Sequence, residues 1–412
     1  TVNAVFRGKY RAAAFGVWGA VISGAAAVGP LAGGALTQWV SWHWIFLVNV
    51  PIGLIVAGGA VLTVRETRSP ETRPGVDVDG AQLSAIAFGA LVFAVIEGPS
   101  LGWWTPQSEL TVFGLTWPAT ASVSAVPVAL LIAAVGFALF IRWEKHREKV
   151  QRSALLDLGL FTYSTFSWGN ITAGAVAIGE FAIIFVLPLY LINALGLSVM
   201  SAGLVLAAMA VGAFISGAAA RHVAGRFGAP GTVLIGLSLE VVGALILALI
   251  LGPDTSGWLI ALPLVIYGVG LGFASAQLTG TVLRDIPVEN SGQASATQST
   301  VRQIGSSLGT AISGSVFSVS LALSLPKALN SIGFNGPAAE GIAQAARQSA
   351  GSSIAGLRAQ GAASPFGEET AVLVRALSDG MSDAARWSLL AAVAFLGLGF
   401  IGALQVRKAA QG

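Results

Sequence analysis

The stretch Gly29-Pro30-Leu31-Ala32-Gly33-Gly34, set in the apolar run from Phe15 to Gln38, decides how the rest of the chain is read. Proline inside a helix removes one backbone hydrogen bond and pushes the preceding turn aside. Glycines at i, i+4 and i+5 strip one face to bare backbone, so a second helix can approach closely. Such a kinked helix is tolerable in a membrane, where neighbouring helices satisfy the freed carbonyl, and costly without them. Composition points the same way: of 412 residues, 55% are hydrophobic and 10% charged, far from the roughly 25% charged of soluble domains. An all-α polytopic membrane protein is therefore expected.

Apolar runs of about 20 residues, enough to cross roughly 30 Å of hydrocarbon, lie near 14–37, 44–64, 81–96, 118–141, 166–192, 199–220, 230–251, 258–283, 293–320 and 385–406. Ten spans are predicted. Basic residues test that count. Arg7, Lys9 and Arg11; Arg65, Arg68 and Arg73; Arg142 to Arg152; Arg221 and Arg226; Arg284 and Arg302; and Arg407 and Lys408 all fall on one side if it is right. The short loops on the opposite side, near 38–43, 97–117, 193–198 and 252–257, contain no Lys or Arg. Both termini are therefore expected in the cytoplasm, in a cell (plasma or inner) membrane. Lys327, Arg347, Arg358, Arg375 and Arg386 lie in or just after one long outer loop near 321–384, which the charge rule exempts. That loop is rich in Ala, Ser and Gly and is expected to hold one or two weakly packed helices with partial disorder.

A net charge of +3 is too small to argue for nucleic acid. The chain has no cysteine, which excludes disulfides, thiolate metal sites and cysteine nucleophiles, and its three histidines make metal catalysis unexpected. No Walker lysine motif is present, so ATP is not the energy source through this chain. Gly268-x-Gly270-x-Gly272 follows no strand and reads as helix packing, not as a nucleotide fingerprint. No cofactor, metal or enzymatic activity is expected, and no protein partner is indicated.

An ionisable group inside a bilayer costs roughly 2.5 to 3.5 kcal/mol at mid-helix, so its presence asks for a reason. Glu180 stands midway along the fifth run and Glu240 midway along the seventh. Desolvation disfavours a buried carboxylate anion, so either can pick up and release a proton. Glu180 and Glu240 are the candidate proton or substrate coupling sites; the alternative is a protonated side chain hydrogen-bonded to a neighbouring helix. Trp168, Phe181, Phe185, Tyr190 and Tyr267 are candidates for an aromatic wall that binds flat cations, with packing against lipid as the alternative.

The kinked helix and the segment after it resemble the major facilitator superfamily, and more narrowly its fourteen-span drug:proton antiporters of the EmrB/QacA type. Gly29, Pro30, Gly33 and Gly34 match the GxxxGPxxGG antiporter motif of the fifth span, with Ala25 in place of the first glycine. Ser41 to Gly53 looks like the family's entry to the sixth span, with His43 where arginine is usual. Gly292 to Gly309 is similar to a further family stretch, and sliding the first run onto the ninth pairs Ala25, Gly29 and Gly34 with Gly305, Gly309 and Gly314, an internal repeat. The resemblance implies a major facilitator fold with ten of fourteen transmembrane helices present, the first four being absent from this sequence through truncation or a fragmentary gene model.

It further implies three parts: 1–68 as the last two spans of the N-terminal six-helix bundle, 69–157 as two extra linker spans, and 158–412 as the C-terminal six-helix bundle. The segment 144–160 lies along the inner membrane surface or is a solvated linker. His222 to Gly228 is similar to the family's inner loop motif, with Gly225 where aspartate is common. Arg226 is then expected in a gating loop, and Arg302 in a similar contact. The function implied is proton-coupled efflux of hydrophobic or cationic drugs, with the lipid bilayer, protons and the small substrate as partners. Two readings stand beside it: a truncated, non-transporting membrane protein or assembly partner, and an exporter of a metabolite or siderophore.

Overall fold

Long apolar runs leave the backbone no hydrogen-bonding partner but itself, and each becomes a helix. The computed structural model describes residues 14, 21, 25, 29, 32–64, 75–112, 114–287 and 290–410. Among them, eight helices are long and apolar enough to cross a membrane. In chain order these are α1 (Trp44–Thr63), α2 (Val78–Leu101), α3 (Ala125–Lys149), α4 (Ser164–Leu189), α5 (Val199–Ile250), α6 (Gly257–Val282), α7 (Ser291–Ser331) and α10 (Thr370–Ala409). Two shorter helices, α8 (Pro337–Gln348) and α9 (Ser352–Gln360), lie between α7 and α10. The chain is a multi-pass membrane protein.

Helix α5 has 52 residues, about 78 Å of rise and more than twice the hydrocarbon thickness. It breaks at Gly228, whose φ of 74° and ψ of 163° are not helical, and Pro230 prevents the turn there from closing. The two halves are the predicted sixth and seventh spans. The expected loop from His222 to Gly228 is helical up to that one residue. Of the first predicted span, only 32–39 forms a continuous described helix, so the count of ten rests on residues outside the described ones.

Spacing within Gly268-x-Gly270-x-Gly272 explains the tightest packing in the molecule. Alternate residues of a helix point about 200° apart. A Cβ at Gly268 or Gly272 would overlap the backbone oxygen of Met209 or Ala213 on the first half of α5, and one at Gly270 would overlap the Gly236 oxygen on the second half. Helix α6 is thus wedged between the two halves of α5 with backbone against backbone. Helices α4, α5, α6, α7 and α10 share one apolar core, to which Leu187, Leu237, Leu264, Leu321 and Leu389 contribute. Helices α2 and α3 have a small core of their own around Ala94, Leu101, Val126 and Ala129, and α2 docks on α7.

Between α2 and α3, the predicted short loop near 97–117 holds a small hairpin of β1 (Leu110–Val112) and β2 (Leu115–Trp117). At the other end of the pair, Asp77 caps α2. Its Oδ1 accepts from Gly80 N at 2.9 Å and from Trp143 Nε1 at 2.8 Å, and its Oδ2 accepts from Leu155 N at 3.2 Å. Arg147 stands 3.8 Å from it and donates to the Ser153 carbonyl at 2.9 Å. Residues 153–156 are thereby tied to α2 and α3. Gln293 Nε2 on α7 reaches the same strand of chain at Ala154 O, 3.3 Å away.

Desolvation pushes the Asp77 carboxyl up, but the Trp143, Gly80 and Leu155 donors outweigh it and hold the group below its ordinary 3.8. A depressed carboxyl stabilises the fold above the unfolded pKa of about 3.9, and that contribution is lost as pH falls through the lower folded value. Asp77→Ala is expected to cost about 1–2 kcal/mol, the worth of an N-cap. Hydrogen exchange at the Gly80 and Leu155 amides at pH 7 should accelerate about tenfold, and the acid-dependent loss of their protection should disappear. Unchanged exchange would show that the cap does not hold this junction.

The segment between α7 and α10 is more ordered than its composition suggests. Helix α7 continues to Ser331 and α10 begins at Thr370, while α8 and α9 between them bury Ala339, Ala343, Ala346 and Ile354 against the core. Small residues allow this, because a helix with an alanine face can lie close to the ends of the spans beneath it. The expectation of partial disorder over 321–384 is corrected accordingly.

Candidate functional site

Four polar side chains from four helices come together within the core: Glu180 of α4, Glu240 of the second half of α5, Tyr267 of α6 and Arg302 of α7. Counted along their helices, Arg302 lies about 16 Å from the start of α7, Glu240 about 18 Å past the Gly228 break, Tyr267 about 22 Å from the end of α6 and Glu180 about 24 Å from the start of α4. Each is therefore well inside a hydrocarbon layer of about 30 Å.

Glycines set this geometry. A Cβ at Gly305 would stand 2.7 Å from Gly174 O and 2.9 Å from the Ala177 Cβ, and one at Gly309 would overlap Ile178, so α7 runs in backbone contact with α4. On its other side α4 meets α10, where a Cβ at Gly399 would stand 2.6 Å from Val176 and one at Gly402 2.5 Å from Thr172. Arg302 sits one turn before Gly305 and places a guanidinium nitrogen 3.7 Å from Glu180 Oε2. The Glu180 side chain is 6% exposed and that of Arg302 28%. Across the core, a Cβ at Gly270 of α6 would stand 2.9 Å from the Cγ of Glu240, and one at Gly243 2.7 Å from the backbone nitrogen of Tyr267. Glu240 is fully buried, and among the described residues neither of its carboxyl oxygens, nor the Tyr267 hydroxyl, has a hydrogen-bond partner.

Both predicted glutamates are thus inside the bundle, on facing helices and within electrostatic reach of one another. Two other assignments change. Arg302 is not in a gating loop, because the Ser-, Gly- and Gln-rich segment before it is helical from Ser291 and carries it three turns into α7. Arg226 is exposed at the end of the first half of α5, 5.6 Å from the Phe227 ring, and has no acidic partner among the described residues.

The aromatic candidates do not form one wall. Trp168 and Tyr190 lie about 33 Å apart along the axis of α4 and its continuation, Trp168 and Phe185 face outward, and Tyr190 donates to Gly252 O at 2.7 Å. Tyr267 joins the cluster, and Phe181, half-buried, follows Glu180 directly on α4. In the antiporter motif, Pro30 lies outside the described residues. Ala25 and Gly29 are helical and exposed, no described atom lies within 4 Å of a Cβ at Gly29 or Gly33, and one at Gly34 would stand 3.4 Å from Val199 O.

A polar element missed by sequence reading holds the opposite face. Arg358 of α9 donates to Asn193 O at 3.3 Å, Ala194 O at 2.6 Å and Ser378 Oγ at 3.0 Å. Those carbonyls end a π-turn, Tyr190–Ala194, that continues α4. Arg347 of α8 reaches Pro99 O at 3.2 Å, and Arg386 of α10 reaches Leu251 O at 2.7 Å. An arginine in an otherwise small-residue loop was the available signal. Among the described residues, no group of three His, Cys, Asp or Glu could hold a metal ion.

The chain is 31% identical over 325 residues to the multidrug resistance protein Stp of Mycobacterium tuberculosis, covering 79% of this chain and 56% of that one. It is 31% identical over 308 residues to the tetracenomycin C resistance and export protein of Streptomyces glaucescens, covering 73% and 52%. With the multidrug efflux pump LfrA of Mycolicibacterium smegmatis it shares 32% identity over 310 residues, covering 74% and 56%. The chain spans about half the length of these relatives. A solved structure of a bacterial homolog of the human lysosomal transporter Spinster, inward-facing and occupied, aligns with a TM-score of 0.45 at 16% identity over 97% of this chain and 85% of that one. The profile of the Major Facilitator Superfamily matches residues 1–310, and the chain, with its helical bundle built on glycine contacts, belongs to that superfamily.

Proposed function

We propose that this protein is a secondary active transporter of the fourteen-span drug:proton antiporter type, exporting hydrophobic or cationic small molecules in exchange for protons as one bundle rocks against the other. The observation that carries the reading is the pair of carboxyls, Glu180 and Glu240, buried at mid-depth in a major facilitator bundle. Burial of a carboxyl in hydrocarbon is costly, and proton relays are among the functions that such residues mark. Support for the cargo class comes from the names of the relatives, which are resistance and efflux proteins. The antiporter helix from Ala25 to Gly34 belongs to the first bundle in this reading, 158–412 forms the second, and both termini are cytoplasmic because the Lys and Arg flanking the spans favour that side.

Everted membrane vesicles containing the protein should accumulate a fluorescent lipophilic cation when a pH gradient is imposed, and an uncoupler should abolish that accumulation. Accumulation indifferent to the uncoupler, or none above vesicles lacking the protein, would overturn the reading.

A further inference from the structure

Glu180 and Glu240 lie in one cluster, yet their surroundings differ. Glu180 has a guanidinium at 3.7 Å, while Glu240 has no partner for either oxygen and no exposure. An isolated carboxylate anion in such a place costs several kcal/mol, whereas a paired one is compensated in large part. The cluster's formal charge adds to the contrast. Two carboxylates and one guanidinium leave one negative charge in excess, and a single proton neutralises the set. Charged and titratable groups facing Glu240 are Glu180 from α4, Tyr267 from α6 and Arg302 from α7. From α10, Arg386 pairs with Asp383 of its own helix and reaches Ala248 O and Leu251 O, two turns or more beyond Glu240 along α5.

From this geometry we infer that Glu240 is the group that takes up and releases the exchanged proton, one per cycle, and that Arg302 keeps Glu180 out of that role by holding it as an ion pair. Tyr267 is a positioning residue: its unpartnered hydroxyl is the donor available to the Glu240 anion once the proton has left. The proton adds to one Glu240 oxygen from the aqueous phase on one side and departs to the other, with no other bond made or broken. The assignment rests on the proton-exchange reading for its role in transport. The site of protonation itself rests only on the cluster's geometry.

The test compares Glu240→Gln with the charge-neutral double variant Glu180→Gln/Arg302→Gln, which removes both members of the ion pair and leaves no orphaned charge. In everted vesicles, Glu240→Gln is expected to lower pH-gradient-driven uptake of a lipophilic cation about a hundredfold, while gradient-free exchange of labelled for unlabelled cation persists. Tyr267→Phe should slow gradient-driven uptake severalfold while exchange persists, and the double variant is read by the protonation site alone.

A second measurement does not depend on transport. The infrared carbonyl band of a protonated carboxylic acid, recorded on the purified full chain near neutral pH, should lose intensity in Glu240→Gln and keep it in the double variant. Loss of the band in the double variant, with the band retained in Glu240→Gln, would overturn the assignment. If the wild type shows no uncoupler-sensitive uptake, the transport reading fails, while the band still decides which glutamate holds the proton.

Discussion

Gly268→Val is expected to prevent stable assembly of the bundle. Even the first carbon of the new side chain would overlap the Met209 oxygen, which belongs to helix backbone and cannot rotate aside. Relief would require α6 to move away from the first half of α5, but Gly270 holds α6 equally close to the second half, where the Cβ position lies 2.6 Å from the Glu240 nitrogen. Overpacking a core ordinarily costs about 1–3 kcal/mol. Here the clash is with backbone on one side and a wedge on the other, so the upper end or more is expected, a large fraction of a net stability of about 5–15 kcal/mol.

In detergent, the variant should lose about 10 °C of thermal midpoint, at about 2–4 °C per kcal/mol, or fail to elute as a single species. Gly225→Ala, where no described atom stands within 4 Å, serves as the neutral control. Equal midpoints for the two variants would mean that α6 is not wedged as described. The same substitution also tests the site, since Tyr267 is the adjacent residue and Glu240 lies across Gly270.

Arg358→Ala is expected to release the cap formed by α8 and α9. One guanidinium serves two carbonyls at the end of the α4 continuation and the Ser378 hydroxyl, and Gly196, at φ 70°, leaves it the space to do so. Removing the donor leaves those carbonyls unsatisfied, at about 1–3 kcal/mol each. Asn193, which donates to Ala350 O at 3.1 Å, would be the remaining tie between this turn and the cap. Because the chain has no cysteine, a single cysteine introduced at Ala194, which is 1% exposed, reports opening without background. Its labelling by a membrane-impermeant maleimide should accelerate at least about tenfold in the Arg358→Ala background, following the free energy of local opening. Arg358→Lys should fall between, because an ammonium cannot present the same planar fork to three acceptors. Labelling at the wild-type rate would show that the cap is held elsewhere.

Residue by residue, the division between what could be read and what could not has a physical basis. Span positions were legible because hydrocarbon admits only continuous apolar helices. The glycine triplet of α6 was legible as packing, because nothing around it provided a strand or a phosphate loop. Composition misled over 321–384, where Ala and Gly signal weak burial in water yet permit close approach above a bundle. Arg302 fell inside the predicted ninth run, but its Glu180 partner on another helix left no local trace, and helical rise separates most of the aromatic candidates that share one apolar run.

A bundle of membrane helices, with two carboxyls at mid-depth, could be derived from the amino-acid order alone, because length, hydropathy and position along a helix are local properties. The packed bundle was needed to show that Arg302 pairs with Glu180, that Glu240 stands alone beside Tyr267, and that Arg358 closes the cap. Those pairings depend on which helix backbones touch across glycine notches, a matter of contacts between residues from 27 to 165 positions apart, and no local pattern records them.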